Sequence, residues 1–259
     1  MQLDGKCVLI TGGGSGIGRA LAVEAARRGM KLALCGRRYE ALKETATSLV
    51  SSCDPLVIEA DLTVPAHRAR IVTRLSSAWG HLDVLVNNAG IVAGGAVTHL
   101  DDHAMEQTFR TNVIAPMALT RDLAGLLARA RPSRVVNVGS MFGDIAYPGF
   151  AAYSASKFAL RGFSSALRRE WRPLGIGVTY AAPRATQTDA AAAFQDLITA
   201  NGMQLDDPAR VAAAIWRGVE AGRDDIYPRG AERLFVLIQR LAPRLIDRAL
   251  ARTTARSAV

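Results

Sequence analysis

Short, continuous apolar runs recur along the first two thirds of the chain. Between them, apolar positions return every three or four residues. The runs read as strands at Lys6 to Thr11, Lys31 to Cys35, Leu56 to Ala60, Leu82 to Val86, Arg134 to Val138 and Gly177 to Ala181. The periodic segments read as helices at Gly16 to Gly29, Glu40 to Val50, about Pro65 to Trp79 and about Ala151 to Trp171. Strands that are apolar throughout, spaced by amphipathic helices, belong in a parallel sheet covered on both faces. The fold class expected is therefore α/β: a doubly wound parallel sheet in three layers, α/β/α. No repeat, low-complexity tract or linker interrupts the pattern, so residues 1–259 form one domain, closed by a helical extension over 228–259.

The chain of 259 residues is 49% hydrophobic and 21% charged, enough to bury a large core and too apolar for disorder. No run of 18 or more apolar residues appears, which excludes a membrane-spanning helix. The start, Met1 to Lys6, has neither a basic nor an apolar leader segment. Cys7, Cys35 and Cys53 are an odd set without metal-type spacing, and two of them lie in apolar runs. These features argue against a disulfide framework or a metal site and place the chain in a reducing cytoplasm. A net charge of +9 favours an anionic partner: a phosphate-bearing cofactor, a nucleic acid or an acidic membrane.

The string Thr11-Gly12-Gly13-Gly14-Ser15-Gly16-Ile17-Gly18 lies between the first strand and the first helix. Glycines there allow a tight turn and a close approach of backbone N–H groups to a pyrophosphate, at which the helix also points its positive end. Its spacing, G-x-x-x-G-x-G, resembles that of the short-chain dehydrogenase/reductase family. Asn87-Asn88-Ala89-Gly90 after the fourth strand and Tyr153-x-x-x-Lys157 extend the resemblance. Ser140, 13 residues before Tyr153, and Asn112 upstream complete it, in the family's order and over residues 5 to about 190.

The resemblance implies a Rossmann-fold oxidoreductase that binds a nicotinamide cofactor through Gly12, Gly14, Ser15, Gly16, Ile17, Gly18, Asn88, Ala89, Gly90, Tyr153 and Lys157. It also implies Pro183, Thr186 and Thr188 beside the nicotinamide, and the pair Asp61-Leu62 against the adenine, although Asp61 equally suits a helix cap. At the end of the second strand, Gly36 stands where NAD-selective enzymes carry an acid, and Arg37 and Arg38 follow. Guanidinium groups accommodate a 2′-phosphate that a carboxylate would repel, so NADP(H) is expected over NAD(H). Solvated arginines opening the next helix are the alternative.

Tyr153 and Lys157 share one face of a helix, one turn apart. A phenol with an ordinary pKa near 10 is a poor catalyst at neutral pH, and a neighbouring ammonium stabilises its phenolate. Tyr153 then exchanges a proton with a carbonyl or alcohol oxygen, and Ser140 holds that oxygen. The family's pattern adds that Lys157 binds the nicotinamide ribose and that Asn112 holds a helix distortion and supports a proton relay. The reaction expected is interconversion of a ketone or aldehyde with an alcohol. A non-catalytic NADP-binding sensor is the alternative, and no nucleic-acid-binding signature accompanies the positive charge.

One position departs from the family's pattern. Arg184 replaces the glycine of the usual Pro-Gly, either to hold an anionic substrate group or to point into solvent. Residues 189–207 are expected to be a substrate lid. Its Ala190 to Ala193, Phe194, Leu197 and Ile198, with Met141, Phe142, Ile145, Ala146 and Tyr147, suggest an apolar or lipid-like substrate. Arg240, Arg244, Arg248, Arg252 and Arg256 recur every four residues beside Leu234, Leu237, Ile238, Leu241, Leu245 and Ile246, with a break at Pro243. Such a segment can lie on an anionic membrane, cap the pocket or join two copies. Relatives commonly form homodimers or homotetramers through the helices carrying Asn112 and Tyr153.

Overall fold

The computed structural model describes residues 1–50, 53–188, 198–199, 204–228 and 230–257. Seven parallel strands lie in the order β3-β2-β1-β4-β5-β6-β7. They are β1 (Cys7–Thr11), β2 (Lys31–Gly36), β3 (Leu56–Glu59), β4 (Val84–Asn87), β5 (Ser133–Val138), β6 (Ile176–Ala181) and the short β7 (Asp225–Ile226). The helices are α1 (Gly16–Arg27), α2 (Tyr39–Thr47), α3 (Pro65–Trp79), α4 (Asp102–Phe109), α5 (Ala115–Asp122), α6 (Ala124–Arg129), α7 (Ala151–Trp171), α8 (Pro208–Glu220), α9 (Glu232–Leu241) and α10 (Pro243–Ser257).

Alternation along each strand sends neighbouring side chains to opposite faces. Val8 and Ile10 of β1 join Leu32, Leu34, Val84 and Val86 against Leu21, Ala22 and Ala25 of α1 and Ile215, Trp216 and Val219 of α8. Leu9 points the other way, with Leu85 and Val135, onto Ile71 and Leu75 of α3, Leu119 of α5 and Leu167 and Trp171 of α7. Trp216 is fully buried, and its indole N–H donates to the Leu21 carbonyl at 3.0 Å, fixing α8 across α1. Full burial of side chains of this size stabilises the fold by about 1.5–3 kcal/mol each.

The doubly wound, three-layer expectation therefore holds, and α3 and α7 have the bounds that the periodicity predicts. Other ends shift. Helix α2 stops at Thr47, where the Ser48 and Leu49 N–H groups tighten onto the Thr45 and Ala46 carbonyls three residues back. Strand β4 starts at Val84 rather than Leu82, because Leu82 N–H is spent on the Leu126 carbonyl, and it runs on to Asn87 opposite Asn137. The break at Pro243 is the start of α10, where the missing proline N–H costs nothing. Most of the expected lid, 189–197 and 200–203, lies outside the described residues, including Ala190 to Ala193, Phe194 and Leu197.

Candidate active site

Strand order reverses between β1 and β4, and the loops leaving their carboxyl ends diverge there to form a crevice. One hydroxyl holds the two loops in register. Thr11 Oγ1 donates to the Val86 carbonyl at 3.1 Å and accepts from the N–H groups of Asn88 at 2.9 Å and Ala89 at 3.0 Å. The Asn88 amide returns to the Thr11 carbonyl at 2.9 Å. The glycine loop then turns at Gly12 with a φ of 65°, a value that favours glycine. A Cβ at Gly18 would fall 2.0 Å from the Gly12 carbonyl oxygen, so only a hydrogen lets α1 pack beneath its own entry loop. Ser15 stands at the first position before α1 in extended conformation, its hydroxyl making no capping bond to the helix.

Two hollows meet over this loop. The larger, about 570 Å³, is lined by Gly12, Ser15, Gly16, Ile17, Asn88, Ala89, Gly90, Ser140, Tyr153, Lys157, Pro183, Arg184, Thr186 and Thr188, among others. The smaller, about 200 Å³, is lined by Gly14, Gly36, Arg37, Arg38, Asp61 and Leu62, and it shares Gly12, Ser15, Ala89, Gly90 and Ile91 with the first. An elongated groove thus passes over the N-terminus of α1, with two guanidinium groups at one end and Ser140, Tyr153 and Lys157 at the other. Glycines where a side chain would clash, a positive helix end and cations beyond it fit a dinucleotide.

At the smaller end, Arg38 donates to Ser15 Oγ at 3.0 Å, which fixes its guanidinium beside the loop. Asp61 is not a helix cap: Val64 occupies that position before α3, and Asp61 Oδ1 instead accepts from Thr63 N at 2.8 Å and Thr63 Oγ1 at 2.7 Å. Partial burial raises the Asp61 carboxyl, but the Thr63 hydrogen bonds and nearby Arg37 outweigh it and hold the group below its ordinary value. Leu62 belongs to the core beneath the hollow.

At the larger end, Ser140 follows β5, and its Oγ accepts from Phe142 N at 3.1 Å. The Ser140 side chain also stands beside the Tyr153 phenol and favours its charged form. Burial pushes that phenol up to about 12, against the Ser140 contact, and lowers Lys157 to about 8. Lys157 Nζ lies 5.5 Å from the Tyr153 ring centroid and donates to the Val138 carbonyl at 3.2 Å. Phe142 stacks on Tyr147, with ring centroids 5.2 Å apart, and meets Phe150 and the edge of Tyr153. One wall is therefore aromatic. Ile198 and Gln204, from the described parts of the expected lid, line the same cleft.

Asn112 lies outside the cleft, in a π-helical turn over Arg110–Ile114 between α4 and α5. Its Oδ1 accepts from Ile91 N at 2.8 Å, and its Nδ2 donates to the Ile91 carbonyl at 2.8 Å and to Ser156 Oγ at 3.1 Å. Among the described residues its amide thus braces the loop after β4 against α7, rather than bonding Lys157.

Arg184 follows neither reading of the sequence. Its guanidinium makes two hydrogen bonds to Asp206, at 3.2 and 2.8 Å, and one to Glu232 of α9. A side chain two-thirds buried between two carboxylates neither points freely into solvent nor remains uncompensated for an anionic substrate.

Tyr180 is a residue that motif reading misses. It is fully buried in β6, its hydroxyl donates to the Ser140 carbonyl at 3.1 Å, and it accepts from Ser140 N at 3.3 Å. Gly139 and Gly143 make room for it: a Cβ at Gly139 would fall 2.2 Å from the ring, and one at Gly143 would fall 2.2 Å from the hydroxyl oxygen. Behind it, Arg161 lies 5.2 Å from the ring centroid and donates to Asp144 and to the Tyr227 hydroxyl. A lone aromatic residue in a strand of small and aliphatic residues is the sequence signal of this arrangement.

The short chain dehydrogenase family model matches residues 6–197. Dehydrogenase/reductase SDR family member 7B of Bos taurus is 33% identical over 262 residues, covering 94% of this chain and 80% of that protein. A short chain dehydrogenase/reductase from Burkholderia phymatum, solved with NAD, superimposes with a TM-score of 0.86 at 25% identity, over 95% of this chain and 96% of that one. A short chain dehydrogenase from Burkholderia cenocepacia, solved with NADP, gives 0.84 at 22% identity, over 96% and 99%. By motif, fold and relatedness together, this chain belongs to the short-chain dehydrogenase/reductase family of oxidoreductases.

Proposed function

We propose that the protein is an NADP(H)-dependent oxidoreductase interconverting an apolar ketone or aldehyde with its alcohol. The observation that carries this reading is the meeting of Ser140, Tyr153 and Lys157 at one end of a groove that begins at the glycine loop. The nicotinamide, when bound, supplies or accepts the hydride. In reduction, Tyr153, held neutral by burial, donates its proton to the substrate oxygen while Ser140 stabilises the charge developing there. In oxidation, Tyr153 takes the alcohol proton, and the Lys157 ammonium one turn away offsets the cost of a buried phenolate. Lys157 would also hold the nicotinamide ribose, and Asn112 keeps the loop after β4 fixed.

Preference for the 2′-phosphate rests on Arg37 and Arg38 lining the smaller hollow beside Gly36, a position that carries no acidic side chain. Asp61, across the hollow, is turned onto Thr63. The aromatic wall of Phe142, Tyr147 and Phe150 supports an apolar substrate. Phe109, Ile114, Met117 and Phe158, exposed on or beside α4, α5 and α7, support a homodimer or homotetramer built through those helices. Three unpaired cysteines, two of them buried, fit a reducing compartment such as the cytoplasm.

Replacing Tyr153 by Phe removes the proton carrier and keeps the ring. Turnover of NADPH with apolar ketones is expected to fall by at least about a hundredfold, with NADPH affinity within about twofold by fluorescence titration. Retained turnover overturns the assignment, whereas a wild-type chain that binds NADPH without turning over any carbonyl compound favours the sensor.

The pH profile tests the Lys157 role. Its ammonium is present below about 8 and is lost above it, so kcat/KM for reduction is expected to decline as pH rises through that value. A profile flat to pH 10 contradicts the role.

Arg37→Ala with Arg38→Ala is expected to weaken NADPH by about tenfold or more and to leave NADH nearly unchanged. Equal weakening of both would show that the arginines do not read the 2′-phosphate.

Tyr180→Phe removes the hydroxyl that holds both backbone groups of Ser140. kcat is expected to drop about tenfold with KM for NADPH unchanged, alongside a stability loss of about 1–3 kcal/mol in urea unfolding. Lost stability with kcat intact would reduce Tyr180 to a packing residue.

A further inference from the structure

Helix α9 is amphipathic in the opposite sense from the helices of the core. Val236 is buried among Met141, Tyr180 and Ala182, and on the same side Glu232 holds Arg184 while Arg240 lies 3.7 Å from Asp144. The polar groups therefore anchor the helix to the body of the protein. Leu234, Leu237, Ile238 and Leu241, spaced i, i+3, i+4 and i+7, form the stripe that faces away. Leu234 is 55% exposed, Leu237 50% and Leu241 76%, and Leu245 continues the apolar surface into α10 at 54%. Contiguous exposed leucines of this kind mark a surface that is covered in use.

Charge identifies the cover. Residues 228–259 hold seven arginines and two acids, and one of those acids, Glu232, is already paired with Arg184. Arg233, Arg244 and Arg248 are exposed around the leucines. A second copy would bring the same excess of arginine against itself, and the exposed apolar residues of α5 and α7 already offer copies of this chain another seat. An anionic bilayer satisfies both features: acyl chains receive the leucines, and lipid phosphates receive the guanidinium groups.

We propose that α9 and α10 dock this protein peripherally on an anionic lipid bilayer. The leucine stripe enters the acyl boundary and the flanking arginines lie at the headgroups. None of the described helices is long and apolar enough to span the membrane, so the contact is superficial. It has a consequence for access. Met141 and Arg184, which α9 touches from within, line the larger cleft, so docking brings that wall beside the phase in which an apolar carbonyl compound concentrates. This last step rests on the reductase reading; the docking itself does not.

The test uses the full chain and does not depend on turnover. Sedimentation is measured with vesicles of phosphatidylcholine alone and of phosphatidylcholine mixed with phosphatidylserine, at rising salt. The expected result is pelleting with the serine-containing vesicles, weakening as salt screens the arginines. Leu237→Glu with Leu241→Glu is expected to lower partitioning by at least about tenfold, and Arg244→Ala with Arg248→Ala by about thirtyfold. All four residues are exposed, and circular dichroism with NADPH titration verifies that each variant is folded. Equal and negligible pelleting of the wild type on both vesicle types overturns the proposal. So does a leucine variant that pellets like the wild type, or one that instead splits a wild-type oligomer in analytical ultracentrifugation, which would assign the stripe to a second copy.

Discussion

A single buried hydroxyl sits where the two halves of the sheet part. Thr11 bonds one strand end and two N–H groups of the neighbouring loop, and so fixes the distance between the glycine turn and the Asn87–Gly90 segment. The groove exists because those two loops diverge yet cannot drift apart. Other elements are arranged around that crevice: α1 aims its N-terminus into it, Asn112 braces its far loop through Ile91, and α7 carries Tyr153 and Lys157 along its side. A hydroxyl satisfied by three backbone groups is also costly to replace, because a loss there strands buried donors and an acceptor together.

Desolvation governs the electrostatics of the larger end. Burial opposes charge on Tyr153 and on Lys157 alike, which leaves a neutral phenol and an ammonium closer to losing its proton than a surface lysine. Such a pair keeps the proton on the phenol at neutral pH, and in both directions the phenolate depends on neighbouring positive charge. Arg184 adds little to that balance, since Asp206 and Glu232 compensate it before any substrate arrives.

Much of the fold and the site is legible in the sequence because it is local. Strand and helix periods reach the neighbours that decide them, and a glycine loop between β1 and α1 or a Tyr-x-x-x-Lys on α7 is one contiguous piece of chain. Boundaries slip where a long-range partner intervenes, as when the Leu126 carbonyl takes the Leu82 N–H from the sheet. The roles of Arg184 and Tyr180 are not legible, since their partners Asp206, Glu232 and Ser140 lie 22, 48 and 40 residues away. The amphipathic character of residues 232–241 is readable; which of its faces turns inward is not, because that is decided by Arg184 and Asp144 in other elements.

The fit of Tyr180 against Gly139 and Gly143 makes these positions interchangeable only as a set. A methyl group at Gly139 collides with the phenol ring and one at Gly143 with its hydroxyl, whereas removing the ring leaves a void under Ser140 and two backbone groups without their partner. A designer transplanting the Ser140 turn into another scaffold of this fold would therefore have to carry a residue of β6 with it, although the two segments are far apart along the chain.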